Sequence, residues 1–205
     1  FTYKVRFRGW FLNDKDLLGD FKYGFGSRNI TYPFYQNVMH PEVLDMVLET
    51  ALRLGFNLVI PGSFINIDNP PEEALVQTAV NRGLYVSQHH VEPLGVSYFG
   101  AELYQQKYGV EGQFSYISDP KFMEYIWREY VRKWAKYKDN VIWQFGLRGK
   151  GDEYFWKSDS TAPDSMEERG NVLSGALATQ HRIVCEELGL VGALLIIALF
   201  ILTIL

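Results

Sequence analysis

Side chains that could do chemistry gather in short runs. His89–His90–Val91–Glu92–Pro93 puts two imidazoles beside a carboxylate, and Arg148–Gly149–Lys150–Gly151–Asp152–Glu153 puts two cations beside two carboxylates. Asn13, Asp14 and Asp16 form a third group, and Asn66 with Asp68 a fourth. Imidazoles and carboxylates move protons, and two carboxyl groups across a glycosidic bond make an acid/base hydrolase. An arginine grips a planar carboxylate with two parallel hydrogen bonds, so Arg148 is the residue for an anionic substrate. Asp152, one short turn further on, is the candidate base. The competing reading is an Arg148–Asp152 ion pair with no chemistry.

The histidine run admits a metal reading, since imidazole and carboxylate are ordinary zinc ligands. On an extended segment, however, adjacent side chains point to opposite sides, which leaves only His90 facing the way of Glu92. A histidine that hydrogen-bonds a substrate hydroxyl, or a structural one, is favoured over a ligand, and no metal is assigned. The Arg148–Asp152 run lacks the G-x-x-x-x-G-K-[ST] spacing of a phosphate loop; its glycines instead let the backbone approach a bulky ligand.

The chain has 205 residues, 47% hydrophobic and 21% charged, which fits one folded domain and argues against disorder. A net charge of −4 gives no basic footprint, so nucleic acid is not an expected partner. Cys185 is the single cysteine, which excludes an internal disulfide and a multi-cysteine zinc site. Gly24–Phe25–Gly26 is only G-x-G and follows no strand into a helix; no dinucleotide or other cofactor is called for. Aromatic residues at 16% suit a large core or a sugar-binding cleft, and the core reading is the stronger. Composition sets no oligomeric state.

The elements that must position these residues alternate. Tyr3–Leu12, rich in aromatic and β-branched residues, reads as a strand ending at Asn13–Asp14. Pro41 opens a helix with Leu44, Val47, Leu48, Ala51 and Leu52 at helical spacing, and Gly55 ends it. Asn57–Ile60 is the second strand. Pro71 opens a helix to Asn81 with Glu72 and Glu73 in its first turn, and Leu84–Ser87 is the third strand. Asp119 caps a long helix whose buried face is Phe122, Ile126, Tyr130, Val131, Trp134 and Tyr137. Val141–Leu147 is the fourth strand, and a fourth helix lies within Gly170–Glu187 on Val172, Leu173, Leu177, Ile183 and Val184. Such alternation predicts α/β architecture with parallel strands and right-handed crossovers. An open doubly wound sheet and a (β/α)8 barrel both fit it. The barrel is preferred, as a partial TIM-type barrel of about four βα units. In either case function gathers at the C-terminal strand ends, where all four polar groups fall.

From Leu188 to Leu205 the chain is purely apolar but for one threonine, a length at the lower edge of a membrane span. Residues 1–187 therefore read as the barrel domain, and 188–205 as a C-terminal apolar helix. That helix could be a membrane anchor, a buried strand and helix, or sequence foreign to the domain.

Several of these runs together resemble glycoside hydrolase family 115. Arg8–Asn13–Asp14 (RGWFLND), Phe34–Tyr35 and Leu52–Asn57 (LRLGFN) resemble the start of its catalytic barrel. Ser87–Pro93 (SQHHVEP) resembles its S-H-H-E-P segment with Gln88 and Val91 as extra residues. Gly146–Asp152 (GLRGKGD) resembles its M-R-G-D-G-D segment, with Lys150 in place of the middle aspartate. The resemblance implies an inverting α-glucuronidase that removes glucuronic or 4-O-methylglucuronic acid from xylan, outside the cell or in a periplasm. Its partner would be glucuronoxylan or a uronic-acid oligosaccharide. Asn13, Asp14, His89, His90 and Arg148 would bind substrate, with Asp152 and Glu92 as the catalytic carboxylates. The family carries its acid glutamate on a further strand past the fourth helix, where this chain enters Leu188–Leu205. The expectation is thus an incomplete fragment holding the base side of the site, nearly silent unless Glu92, Asp14 or Asp68 supplies the acid. The alternatives are a non-catalytic carbohydrate-binding remnant and a membrane-anchored one.

Overall fold

A computed structural model of the chain describes residues 4–13, 18–19, 21, 24–28, 30 and 36–189. Asp14, Asp16, Phe34–Tyr35 and the apolar run beyond Gly189 lie outside the described residues. Among those described, no helix is long and apolar enough to cross a membrane.

Four strands, β1 (Gly9–Phe11), β2 (Leu58–Ile60), β3 (Tyr85–Ser87) and β4 (Val141–Ile142), form one sheet in the order β1-β2-β3-β4. Every pairing is parallel, with Trp10 opposite Val59, Val59 opposite Val86, and Val86 opposite Val141. Parallel neighbours need long crossovers, and helices supply them. These are α1 (Pro41–Arg53), α2 (Pro70–Asn81), α3 (Tyr98–Tyr108), α4 (Pro120–Trp134) and α5 (Met166–Glu187). The chain is mixed α/β, and all four strand C-termini point to one edge.

The core sits between the sheet and its helices. Val59 and Val86 from the strands join Leu44 and Leu48 of α1, Leu75 and Ala79 of α2, and Ile126, Trp127 and Trp134 of α4 in one buried cluster. All six residues expected on the buried face of α4 and its 3-10 extension are buried. Asp119 accepts from the Phe122 N–H at 3.0 Å and starts that helix, as its position in the sequence predicted. In α5 the expected face holds in its last turns, where Ile183 and Val184 are buried, but Leu173 and Leu177 are exposed while Ala176 and Gln180 point inward. One helix went unread. Ser97 caps α3 by accepting from the Gly100 N–H, and Gly109 ends it at φ +65°, both standard signals.

The strands are shorter than their apolar runs, for an identifiable reason. Side-chain amides take over the hydrogen bonds that a longer ladder would use. Asn57 accepts from the Arg8 N–H at 2.8 Å and donates to the Arg6 carbonyl at 2.8 Å, so β1 starts at Gly9 rather than Tyr3. Gln88 takes the Gln144 N–H at 2.9 Å, so β4 stops at Ile142 rather than Leu147.

After β3 the chain turns at Pro93–Gly95 directly over α4. Gly95 has φ +80°, and a Cβ there would lie 2.2 Å from the Trp134 indole nitrogen. Gly95→Ala must therefore distort both the turn and the core beneath it. Its expected cost is about 2–4 kcal/mol, combining overpacking with left-handed strain, measured by urea unfolding. An unchanged midpoint would show that this turn does not rest on Trp134.

Candidate active site

The candidate residues lie on four loops at the C-terminal edge of the sheet, and those after β3 and β4 meet each other. After β3, Ser87 Oγ donates to the Ile142 carbonyl at 2.7 Å, and the Leu94 N–H donates to the Gln144 carbonyl at 2.9 Å. The loops after β3 and β4 thus stay paired beyond the sheet.

Between these ties, His89–Glu92 closes a turn. The Glu92 N–H donates to the His89 carbonyl at 2.8 Å, and the His89 N–H donates to Glu92 Oε2 at 3.1 Å. The expectation of an extended segment with diverging histidines is corrected here. The two rings lie 3.9 Å apart, edge to face, and it is Glu92 that turns away from His90. His89 is buried against the Phe11 ring at the end of β1, 4.5 Å between centroids, whereas His90 stands half exposed. Glu92 is 1% exposed, sealed beneath the turn it closes.

The loop after β4 is held from below by α5. Gln180, fully buried, accepts from the Gly146 N–H at 2.9 Å and donates to the Gly146 carbonyl at 2.7 Å. Two residues on, Arg148 Nε donates to Asp152 Oδ1 at 2.8 Å, Nη2 lies 2.7 Å from the same oxygen, and Nη2 donates to the Asp152 carbonyl at 2.8 Å. His90 Nε2 reaches Oδ1 as well, at 2.8 Å; an ionised carboxylate cannot donate, so this nitrogen carries the proton. Gly151 at φ +64° makes the hairpin-like return that brings Asp152 back to Arg148.

Burial works to raise the Asp152 pKa, but the hydrogen bonds from His90 and Arg148 outweigh it and hold the carboxyl below its usual range. All its side-chain contacts among the described residues fall on Oδ1, leaving Oδ2 open on a side chain that is 52% exposed. Arg148 offers less than the sequence promised. Its Nε–Nη2 fork is closed on Asp152, and Nη1 is the donor with no hydrogen bond among the described residues. Tyr154, 63% exposed, lies with its ring 5.6 Å from the Arg148 guanidinium carbon and was not singled out from sequence.

The loops after β1 and β2 make a second cluster. Asn13 Oδ1 accepts from Ser63 Oγ at 2.9 Å, and the Ser63 carbonyl accepts from Arg28 at 2.6 Å. Arg28 pairs with Glu72 at 3.5 Å, both sealed from solvent. Asn66 and Asp68 do not join the other groups. Asn66 accepts from the Tyr130 hydroxyl at 3.3 Å, and Asp68 is ion-paired with Lys133 of α4 at 2.7 Å. Both face a separate cavity of about 470 Å³ that Tyr104 and Lys107 of α3 also line. Among the described residues, no three His, Cys, Asp or Glu side chains are grouped so as to hold a metal ion.

Gln180 is the least conspicuous of these residues and the most consequential for the loop. Gln180→Ala would leave the Gly146 N–H and carbonyl without their partners. The expected loss is about 2–4 kcal/mol in chemical denaturation, roughly 1–3 for each stranded group. A loss below about 0.5 kcal/mol, typical of a surface substitution, would show that the pairing is dispensable.

Comparison with curated proteins gives no match. Residues 2–199 match the sequence model of glycosyl hydrolase family 115. The matched span takes in Asn13, the His89–Glu92 turn and the Arg148–Asp152 loop alike. Nearly the whole chain carries the family pattern, and the protein belongs to glycosyl hydrolase family 115.

Proposed function

We propose that these residues are the base side of a site that, in the complete enzyme, hydrolyses α-linked glucuronic or 4-O-methylglucuronic acid from glucuronoxylan with inversion. Asp152 activates water while an acid on a further strand of the barrel protonates the leaving oxygen. One observation carries this reading. The Asp152 carboxylate is held ionised with Oδ1 clamped and Oδ2 open toward solvent, where a water can be deprotonated. An inverting glycosidase needs such a carboxylate on the face of the sugar opposite the leaving oxygen. In this reading Arg148 Nη1 meets the uronate and the His90 edge a sugar hydroxyl, with Asn13 and Asp14 as further substrate contacts. The exposed Tyr154 ring offers a sugar face to rest on. Glu92 gives the site its shape rather than a proton, since it is sealed and engaged with the His89 backbone. Four parallel strands in sequential order, with their polar groups at the C-terminal ends, fit a partial (β/α)8 barrel. The polymeric substrate puts this activity in an extracellular or periplasmic space.

Release of glucuronic acid from a uronic-acid xylo-oligosaccharide by the complete enzyme tests the reading. Asp152→Asn should lower turnover by about 10²–10⁴-fold, the usual contribution of general-base catalysis. Undiminished release would end the assignment of Asp152, and oligosaccharide binding without any release would point instead to a carbohydrate-binding remnant.

The pH profile gives a second check. A base with a depressed pKa is active above that value, and the rate falls as pH drops through it. His90→Ala removes one of the hydrogen bonds that depress it, so the acidic limb of kcat/KM should move to higher pH. A limb that stays in place would mean that Asp152 is not the titrating group.

A further inference from the structure

We propose that a polar cleft on the far side of the Arg148–Asp152 loop is a second sugar subsite, taking the neutral pentose chain while the uronic acid lies at Arg148. The substrate class rests on the glycosidase reading above. The cleft encloses about 540 Å³, and its walls include Tyr98, Phe114, Gln113, Ser158, Asp159 and Ser160. That size falls within the range of about 300–1,000 Å³ usual for ligand sites.

The cleft and the candidate active site share a wall. The Lys150 N–H donates to Ser158 Oγ at 3.3 Å, and Lys150 Nζ sits 5.0 Å from the centre of the Tyr98 ring. Gly149 packs on Ser158 so closely that a Cβ would fall 2.1 Å from its Oγ. One short loop therefore presents Asp152 on one side and bounds the cleft on the other.

Its lining suits a sugar, and a neutral one. Tyr98 and Phe114 meet edge to face at 5.6 Å and supply apolar surface for the C–H face of a pyranose. The Gln113 amide and the Ser160 hydroxyl make no hydrogen bond among the described residues, so both are available to sugar hydroxyls. Asp159 adds fixed charge. It accepts from the hydroxyls of Ser115, Ser118 and Thr161 and from the Thr161 N–H at 2.8 Å. Burial opposes its ionisation, but these four donors prevail and hold the carboxyl far below the ordinary range. Glu102 places a second carboxyl group in the lining. The lining thus holds two acids and no Lys or Arg among the described residues, with Lys150 beside Tyr98, which disfavours a uronate and leaves neutral hydroxyls as the matching chemistry.

Titration of the 205-residue chain with xylotetraose, which carries no uronic acid, and separately with glucuronic acid tests this. Ser160→Trp fills the cleft from an exposed position and should weaken xylotetraose binding by about tenfold or more while leaving glucuronic acid binding unchanged. Gln113→Ala should weaken xylotetraose by about threefold, and added salt should weaken only glucuronic acid. Circular dichroism confirms that both variants are folded. Glucuronic acid binding without xylotetraose binding would overturn the cleft and spare the glycosidase reading. So would xylotetraose binding that neither variant changes. Xylotetraose binding that Ser160→Trp abolishes, in a chain that ignores glucuronic acid, supports the cleft and strikes the glycosidase reading.

Discussion

Buried backbone amides must be paired, and after Ile142 the sheet no longer pairs them. Residues 144–146 leave β4 within the fold, and two glutamines from elsewhere take the place of a neighbouring strand. Gln88, from the loop after β3, takes the Gln144 N–H, and Gln180, from α5, takes both backbone groups of Gly146. A side-chain amide has the donor and acceptor of a peptide group, so it can mimic one rung of a ladder without continuing the strand. This releases the chain from the sheet at a fixed point and angle. The position of Arg148, and through it of Asp152, follows from these three hydrogen bonds.

The same loop shows how charge is arranged around a base. Arg148 and His90 both act on Oδ1, and their effect exceeds the desolvation that works to raise the Asp152 pKa. The consequence is double-edged: a carboxylate stabilised in its charged form is reliably ionised but is a weaker proton acceptor. The sign for folding is definite. A depressed pKa adds stability above the unfolded-state value, about 3.9, and loses it as pH falls through the native one. Because Asp152 is half exposed, solvent screening keeps that term small. The clamp thus matters more for geometry and protonation state than for stability.

Much of the scaffold was legible, and the physical reason is periodicity. Pro41, Asp119, Phe122, Ile126 and Trp134 carry cap and spacing signals that survive tertiary context, and the helices they mark are where the sequence put them. The parallel sheet followed from alternation alone. The His89–Glu92 turn did not, because strand-like alternation was extended past Ser87, where Glu92 folds back on the His89 N–H. The roles of Gln88 and Gln180 were invisible for a different reason: a glutamine reads as a surface residue unless one knows which backbone groups it must satisfy. The exposed part of the expected α5 face is the same error, since Leu173 and Leu177 looked like the core and Gln180 did not, although Ile183 and Val184 are buried as expected. Arg148 and Asp152 were found by residue type, but the closure of the arginine fork on the aspartate depends on the Gly151 turn.

The distribution of strain separates the rim from the rest of the fold. Among the described residues, the buried polar side chains lie beyond strand C-termini or on helix segments facing them, from Arg28, Ser63 and Glu72 to His89, Glu92, Asp159 and Gln180. The turns that lead from helices back into strands bury none. Among the described residues, the two non-glycine positions with positive φ, Phe64 at 56° and Leu94 at 54°, also lie past β2 and β3. Each such conformation costs about 1–2 kcal/mol, and a sealed ion pair such as Arg28–Glu72 is seldom a gain over apolar packing. A fold under selection for stability alone would have no reason to collect these costs at one end of its sheet. Their concentration there sets the strained and sealed groups at the same edge as the His90–Asp152–Arg148 cluster, as expected where local geometry is maintained against the preference of the chain.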